Sequence, residues 1–284
     1  MALLNGFSRE EYPNGDSYEG QFKRGARHGS GTYYCVDGYY EGEFCEGKMQ
    51  GEGTFYYAKQ ESYTGQWLNS MRHGYGKFTY HDGAAYEGRW EADLRHGQGL
   101  MKYADGSAYN GNWAADRRHG QGQMSFGDGA QYSGAWLNDA RHGFGSYRLP
   151  NGSCYDGDFK ADIPDGSGRL HDADEQSDYV GQFQEGLRSG QGKCTYQTTG
   201  SQFSGEWRGG VRVEGLMHLA SGDVEKVGYL NDKLVRREKL SKAEQERVQQ
   251  EAPRKEDPRP SVGVLPVDQV ASLGPGPAEA VTAS

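Results

Sequence analysis

The chain has 284 residues, a hydrophobic content of only 34%, and a formal net charge of −9. An acidic surface repels nucleic acid and anionic lipid, so we expect no nucleic-acid partner, and the charge disfavours membrane association. No run of 18 apolar residues is present, so the sequence predicts no membrane-spanning helix.

Cysteines and the N-terminal residues both indicate an intracellular, cytoplasmic protein. The four cysteines, at positions 35, 45, 154 and 194, show no C-x-x-C spacing, which is typical of reduced thiols. Residues 1–11 contain no apolar core of the kind found in a secretory signal.

Residues 1–17 predict an N-terminal capping hairpin. Asn14-Gly15 is a hairpin-turn signal. Pro13 cannot donate a backbone hydrogen bond, so we place it on an edge strand that stops further pairing.

From Tyr18 onward one pattern recurs every 22 to 24 residues. A unit reads aromatic-x-Gly-x-Trp or Phe, a short polar passage, Arg-His-Gly-x-Gly, an alternating apolar run and Asp-Gly or Asn-Gly. Such a period predicts a stacked repeat array, here over residues 18–231. The nine units begin at Tyr18, Tyr40, Tyr63, Tyr86, Tyr109, Tyr132, Tyr155, Tyr179 and Phe203, and a degenerate tenth is expected near Lys226.

The alternation predicts two β-strands in each unit, because strand side chains alternate between faces with a period of two. One face would be aromatic and the other polar. Glycine between two aromatics avoids crowding their rings. The predicted fold is therefore all-β: an elongated, single-layer, twisted antiparallel β-meander of nine to ten 23-residue hairpins.

We interpret the His-Gly-x-Gly segments as turns between the two strands of a unit. The residues assigned to them are His28, His73, His96, His119, His142, Gly29, Gly74, Gly97, Gly120 and Gly143. The Asp-Gly and Asn-Gly pairs would then close the hairpins between units.

A metal ladder built from these histidines is disfavoured. Two strands per unit put neighbouring histidines about 10 Å apart, whereas each ligand must reach a shared metal at about 2.0–2.1 Å. The segment 42–48 matches G-x-x-x-x-G-K, but Met49 replaces the Ser or Thr of a phosphate loop and no helix follows. We therefore predict no metal, no cofactor, no catalytic residue and no enzymatic activity.

The C-terminal part changes composition. Residues 232–252 are predicted to form a charged helical segment, since Ser241 and Glu244 have the spacing of a capping box. Residues 253–284 are rich in Pro, Ala and Gly and predict a disordered tail.

The Tyr-x-Gly-x-Trp and Arg-His-Gly-x-Gly motifs recur at fixed positions of each unit, and this pattern resembles the MORN repeat (membrane occupation and recognition nexus). The resemblance covers residues 18–215 well, and extends loosely to about 231. It implies a run of β-hairpins. It also implies relatives such as radial-spoke-head and other axonemal proteins, membrane tethers and cytoskeletal collar proteins.

A lone sheet leaves its aromatic face without an opposing layer, so we expect that face to bind a protein partner. A partner helix could lie along the tryptophan file, because the repeat spacing of about 10 Å equals about seven residues of helix. The predicted binding residues are Trp67, Trp90, Trp113, Trp136, Trp207, Tyr63, Tyr86, Tyr109 and Tyr132.

The function expected is a non-enzymatic scaffold of the cytoskeleton. The resemblance favours a cilium or flagellum axoneme, in a radial-spoke-like role with cytoskeletal or axonemal partners. Two alternatives stay open: a homodimer through the same face, and a peripheral membrane or phosphoinositide-associated tethering scaffold.

Overall fold

The computed structural model describes residues 4–251, which fall into two compact units, one ending at Gly127 and the other starting at Asp128. The predicted tail 253–284 lies outside the described residues. The strands of the first unit are β1 (Gly6–Glu11), β2 (Ser17–Lys23), β3 (Ala26–Cys35), β4 (Gly38–Cys45), β5 (Lys48–Tyr57), β6 (Ser62–Leu68), β7 (Met71–Thr79), β8 (Ala85–Glu91), β9 (Leu94–Lys102), β10 (Ala108–Ala114) and β11 (Arg117–Ser125).

The second unit continues the same pattern and adds one helix. Its elements are β12 (Gln131–Leu137), β13 (Ala140–Arg148), β14 (Cys154–Lys160), β15 (Ile163–Asp172), β16 (Ser177–Gln184), β17 (Leu187–Tyr196), β18 (Ser201–Arg208), β19 (Val211–His218), β20 (Val224–Leu230), β21 (Lys233–Lys239) and α1 (Lys242–Glu251). Within each unit every strand pairs antiparallel with its neighbours in the chain. The predicted all-β meander of hairpins is confirmed.

Each repeat buries a tyrosine ring against glycine backbone. Gly88 of β8 is in register with Gly99 of β9, and Tyr86 lies over both with no exposed surface. A Cβ added at Gly88 would lie 2.5 Å from the Gly99 Cα and 2.7 Å from the Tyr86 hydroxyl. Glycine is therefore required here because the ring fills the space of two side chains.

The tyrosine rings also connect successive repeats. Tyr86 meets Trp90 of its own repeat edge-on, with ring centroids 5.1 Å apart. It meets Trp113 of the following repeat in the same way at 5.4 Å. Edge-to-face contacts are a favourable geometry for aromatic pairs. The sheet thus buries its aromatic face with its own rings, and residues 4–251 form no opposing layer over it.

The turns within repeats are not where the sequence placed them. The two strands of a repeat are joined by two-residue turns such as Ala92-Asp93, where both residues have positive φ (48° and 67°). Positive φ at both positions is the type I′ hairpin turn, which matches the twist of the strands. The sequence signal was weak because Ala-Asp or Asn-Ser stands where Asn-Gly is usual.

The His-Gly-x-Gly segments lie inside the second strand of each repeat, so their assignment as turns is wrong. In β11, for example, His119 and Gly120 fall where the register with β10 shifts between Gly111 and Trp113. Gly120 has a φ of 62°, and the equivalent glycines have φ from 58° to 65°. These residues form a β-bulge, which needs a residue that tolerates positive φ.

The Asp-Gly and Asn-Gly turns between repeats are confirmed. In Tyr80-His81-Asp82-Gly83 the Gly83 N–H donates to the Tyr80 carbonyl and only the glycine has positive φ. Pro13 belongs to the corresponding turn at Tyr12–Gly15 and not to an edge strand. The fixed φ of proline suits the second position of such a turn, and β1 forms the edge instead.

The degenerate tenth repeat starts one residue earlier than expected. Glu225, Val227 and Tyr229 occupy the positions of Tyr, Gly and Trp, since Glu225 is in register with Met217, which pairs with Phe203. Tyr229 packs edge-on against Phe203 at 5.8 Å. Valine is tolerated at 227 because no tyrosine ring covers it.

Part of the predicted helical segment is a strand. Lys233–Lys239 forms β21, which pairs antiparallel with β20. The helix begins after Ser241, whose backbone N–H donates to the Glu244 carboxylate at 2.8 Å, so the capping box is confirmed. No helix among residues 4–251 is long and apolar enough to cross a membrane.

Replacing Gly111 by Ala tests the ring-over-glycine packing. Its new Cβ would lie 2.5 Å from the Gly122 Cα and 2.6 Å from the Tyr109 hydroxyl, so we expect a loss of about 3 kcal/mol or more in local stability. Hydrogen exchange should show lost protection in β9–β11 and unchanged protection in β4 and β5, because repeats contact only their neighbours.

The matched control is Gly106→Ala, at a turn with a φ of 84° and open space around the added Cβ. It should cost only about 1 kcal/mol. Equal effects of the two substitutions, or protection lost evenly across β1–β11, would contradict this account of the packing.

Candidate functional site

The nine aromatic residues predicted to bind a partner are packed inside the array. Tyr63, Tyr86, Tyr109 and Tyr132 have no exposed surface, and the five tryptophans are 3–5% exposed. Their role as direct partner contacts stays a prediction.

The polar atoms of these aromatic residues are bonded within the sheet. The Tyr86 hydroxyl donates to the Arg89 carbonyl at 2.9 Å, and the equivalent tyrosine bonds recur along the array. The Trp90 ring nitrogen donates to the Gly76 carbonyl at 3.2 Å. These hydroxyls and ring nitrogens therefore already have partners inside the sheet.

A row of arginines covers the rings, and this role was missed in the sequence. The arginine of Arg-His-Gly-x-Gly points across its own repeat to an aromatic ring of the following one. The Arg95 guanidinium lies 4.3 Å from the Trp113 ring centroid, and Arg72 lies 4.4 Å from Trp90. This is the geometry of a cation–π contact. The regular recurrence of arginine nine residues after the aromatic was the available signal.

An aspartate in the next repeat's turn holds several of these arginines. The Asp116 carboxylate accepts from the Arg95 side chain at 2.9 Å and from the Arg95 backbone N–H at 3.0 Å. The Arg95 guanidinium also donates to the Asp116 carbonyl at 2.9 Å. The same contact joins Arg72 to Asp93, and in the second unit Arg141 to Asp162. Arginine and aspartate together therefore join consecutive repeats.

Two of the nine regular repeats lack this arginine. Met49 stands at its position in the second repeat and Pro164 in the seventh. Both repeats also depart from His-Gly-x-Gly, with Gln50 and Asp165 in place of histidine. The irregularities seen in the sequence therefore interrupt the arginine row.

The repeated histidines lie within strands and not around a common centre. No group of three or more His, Cys, Asp or Glu among the described residues is placed to hold a metal ion. His96 lies 3.4 Å from the Glu91 carboxylate as a surface contact.

Aliphatic side chains are exposed beside the two-residue turns, at the strand end before the turn or the strand start after it. The sequence interpretation missed them because it treated the surface outside the aromatic face as polar. We call this set the aliphatic margin, and its members are 37–64% exposed. They are Leu68, Met71 and Leu94 in the first unit, and Leu137, Ile163, Leu187, Val211 and Leu230 in the second.

A groove of about 690 Å³ lies between α1 and the polar face of the second unit. Its lining includes Glu206, Glu214, Lys226, Arg236 and Arg247. No histidine or cysteine is among the described residues that line it. These charges can bind polar groups, but they show no nucleophile paired with a base.

Burial raises the pKa of the core tyrosines. It raises the pKa of Tyr179 to about 12, although the cation of Arg188 acts in the opposite direction. Burial raises the pKa of Tyr63, Tyr86 and Tyr132 as well. These phenols stay protonated in the folded protein, as donors to backbone carbonyls must.

Comparison with known families matches the MORN repeat to nine segments of the chain. They are residues 18–38, 40–61, 63–85, 86–108, 109–131, 132–154, 155–177, 179–200 and 203–224. Each begins at the aromatic residue with which the sequence pattern starts a repeat. The comparison with curated proteins found no match.

Two solved structures show only a distant likeness. The SAS-4 (dCPAP) TCP domain of Drosophila melanogaster, in complex with a proline-rich motif of Ana2 (dSTIL), is 12% identical. That comparison covers 63% of this chain and 90% of the other, with a TM-score of 0.36. A streptogramin B lyase is 8% identical, with 80% and 91% covered and a TM-score of 0.15. Such scores carry no argument about function.

Replacing Arg95 by Gln tests the arginine cover. We expect a loss of about 1–2 kcal/mol, limited because Asp116 is 43% exposed and solvent screens the pair. Trp113 should become more accessible to acrylamide. Arg89→Gln, at an exposed position of β8, is the control and should change neither property. If Arg95→Gln and Arg89→Gln behave alike, the arginine does not hold the repeats together.

Alkaline pH should unfold the array. A tyrosine in an unfolded chain ionises near pH 10, whereas Tyr179 does so at about 12. The raised folded pKa stabilises the protein fully below pH 10, and this contribution is lost as the pH rises toward 12.

Urea unfolding between pH 8 and pH 12 would measure this loss. Tyr179→Phe introduces the residue that the chain itself carries at the equivalent position 203. The free energy of unfolding of this variant should fall less steeply as the pH rises. A decline identical to that of the wild type would show that Tyr179 does not contribute.

Proposed function

The chain belongs to the MORN-repeat family, and we propose that it is a non-enzymatic scaffold that binds protein partners along its repeats. The arginine row and the ring-over-glycine packing support this proposal, because they make a stable framework from short units. A framework of this kind can present side chains at regular intervals.

The aliphatic margin is the observation that carries the proposal. Ile163, Leu187 and Val211 are 46%, 51% and 37% exposed at the start of β15, β17 and β19. Alternate strands of a sheet are about 10 Å apart, which equals about seven residues of α-helix. We therefore propose as partner an amphipathic helix with one apolar residue in every seven, lying along these side chains.

This proposal moves the partner from the aromatic file to the aliphatic margin. Trp90 and Trp113 lie beneath arginines and are 4% and 3% exposed. A helix lying along the tryptophan file would meet those arginines before it met the tryptophans. The tryptophan file remains a second candidate surface, and a partner there would need acidic groups to bind the arginines.

For the cell, we propose a place in the cytoskeleton, as a component of a cilium or flagellum axoneme. The resemblance to axonemal and radial-spoke proteins supports this placement. Expression of a fluorescent fusion in ciliated cells tests it. Exclusion of the fusion from cilia would contradict it.

The alternative is a peripheral membrane scaffold, and the exposed basic residues of β21 are its best support. Anionic lipid attracts such clusters. However, Arg236 is paired with Glu238, Arg237 with Glu225 and Lys239 with Asp223. Because these cations already have carboxylate partners, the strand offers little free positive charge, and we favour the protein-binding function.

Leu187→Gln/Val211→Gln tests the aliphatic margin. We expect the double variant to recover its helical partners from ciliated-cell extract at least fivefold less well in quantitative affinity capture, since two apolar contacts are lost. Leu149→Gln, at a residue that is 40% exposed beside a turn between repeats, is the matched control. Circular dichroism and melting must match the wild type for both.

Equal capture by the double variant, the control and the wild type would overturn the aliphatic margin as the partner surface. Flotation with anionic vesicles separates the alternative. Vesicle binding that salt abolishes, without captured proteins, would favour the membrane function.

A further inference from the structure

Three tyrosines form a stacked row on the polar face of the first unit, opposite the aromatic face. Tyr34, Tyr39 and Tyr56 are in register on β3, β4 and β5. Their ring centroids are 5.8 Å apart between the first two and 4.7 Å between the last two, with interplanar angles of 29° and 22°. Tyr34 and Tyr56 are 45% and 39% exposed. We call these three residues the tyrosine ladder.

The repeat does not need these tyrosines in order to fold. On the next strands of the same row the residues are Ser62, Thr79 and Ala85. Those hairpins pair in the same register as the ones that carry the ladder. The ladder is therefore an addition to the repeat pattern, and an exposed aromatic cluster of this kind commonly marks a contact surface.

Small neighbours leave the two ends of the ladder accessible. Ser17 is in register with Tyr34 on one side, and Ser62 is in register with Tyr56 on the other. A serine side chain is too short to cover a tyrosine ring face. Each end of the ladder can therefore take a planar or cationic group against its ring.

The surface around the ladder carries unpaired negative charge. Glu19, Glu41 and Glu52 lie on the same face of β2, β4 and β5, and all three are exposed. None of them forms a salt bridge with a lysine, arginine or histidine of residues 4–251. Arg236, Arg237 and Lys239 of β21, by contrast, are matched by carboxylates. The combination of ring faces and free carboxylates complements a cation with a flat surface.

We propose that the tyrosine ladder docks an extended, arginine-containing segment of a partner protein. The planar guanidinium stacks on a tyrosine ring and bonds carboxylates in two directions, whereas lysine offers only a compact charge. The inference rests on the proposed scaffold function and names a second kind of partner on a different surface. The ladder lies in the first unit, while the residues chosen to test the aliphatic margin lie in the second.

The test uses the full chain and two fluorescent probes, hexa-arginine and hexa-lysine peptides, in fluorescence anisotropy. Tyr34→Thr/Tyr39→Ser/Tyr56→Thr replaces the ladder with the kinds of residue that other repeats carry, so the fold is preserved. We expect it to bind hexa-arginine at least tenfold more weakly than the wild type. Hexa-lysine should bind the wild type more weakly than hexa-arginine and be little affected by the substitutions.

The matched control is Tyr75→Ser, because Tyr75 lies on the same face but bonds Glu87 at 2.8 Å. It should bind hexa-arginine like the wild type. Glu19→Gln/Glu41→Gln should weaken both peptides by several-fold, since it removes charge and leaves the rings. Unchanged hexa-arginine binding by the ladder variant, or equal binding of the two peptides to the wild type, would overturn the proposal.

Two further results would also overturn the proposal, because each would identify a different ligand of the tyrosine ladder. One is tighter, ladder-dependent binding of a deca-proline peptide. The other is a ladder-dependent dimer in light scattering. Leu187→Gln/Val211→Gln should bind hexa-arginine normally. The ladder variant could bind hexa-arginine like the wild type while partner capture persists. That result would remove this inference and leave the scaffold function intact.

Discussion

The structure depends on one close contact, a tyrosine ring that lies where two side chains would otherwise stand. Tyr86 covers Gly88 and Gly99 and has no exposed surface. Because the two glycines are in register, the ring packs directly against their backbones. The hydroxyl then donates to a carbonyl of its own strand, so this polar atom is buried with a hydrogen-bond partner. Each repeat thus builds a core from a single sheet.

The same contact explains how the repeats cooperate and where the pattern ends. Tyr86 touches the tryptophan of its own repeat and that of the next, while Arg95 reaches forward to Trp113 and Asp116. Stability therefore accumulates between neighbours. At the tenth repeat tyrosine and glycine are lost together, and the chain passes into a strand whose residues are all exposed.

The packing separates residues that hold the framework from residues that are free to serve partners. Rings, glycines and arginines are committed to internal contacts. The positions beside the two-residue turns and on the polar face are not, and they carry exposed aliphatics in one region and stacked tyrosines in another. Changes at these positions can alter binding without altering the repeat.

The sequence by itself determined the repeat boundaries, the all-β class and the alternation of faces, because each follows from a period that is visible in one chain. It also identified the capping box at Ser241, which depends on residues three positions apart. The tertiary structure alone decided the rest. The contact of Arg95 with Asp116 joins residues 21 positions apart. The bulge at His119-Gly120 depends on strand register, and the turn at Ala92-Asp93 lacks the usual Asn-Gly signal. Exposure was likewise decided only by the fold, since the tryptophans expected to face a partner are covered by the arginine and tyrosine of the preceding repeat.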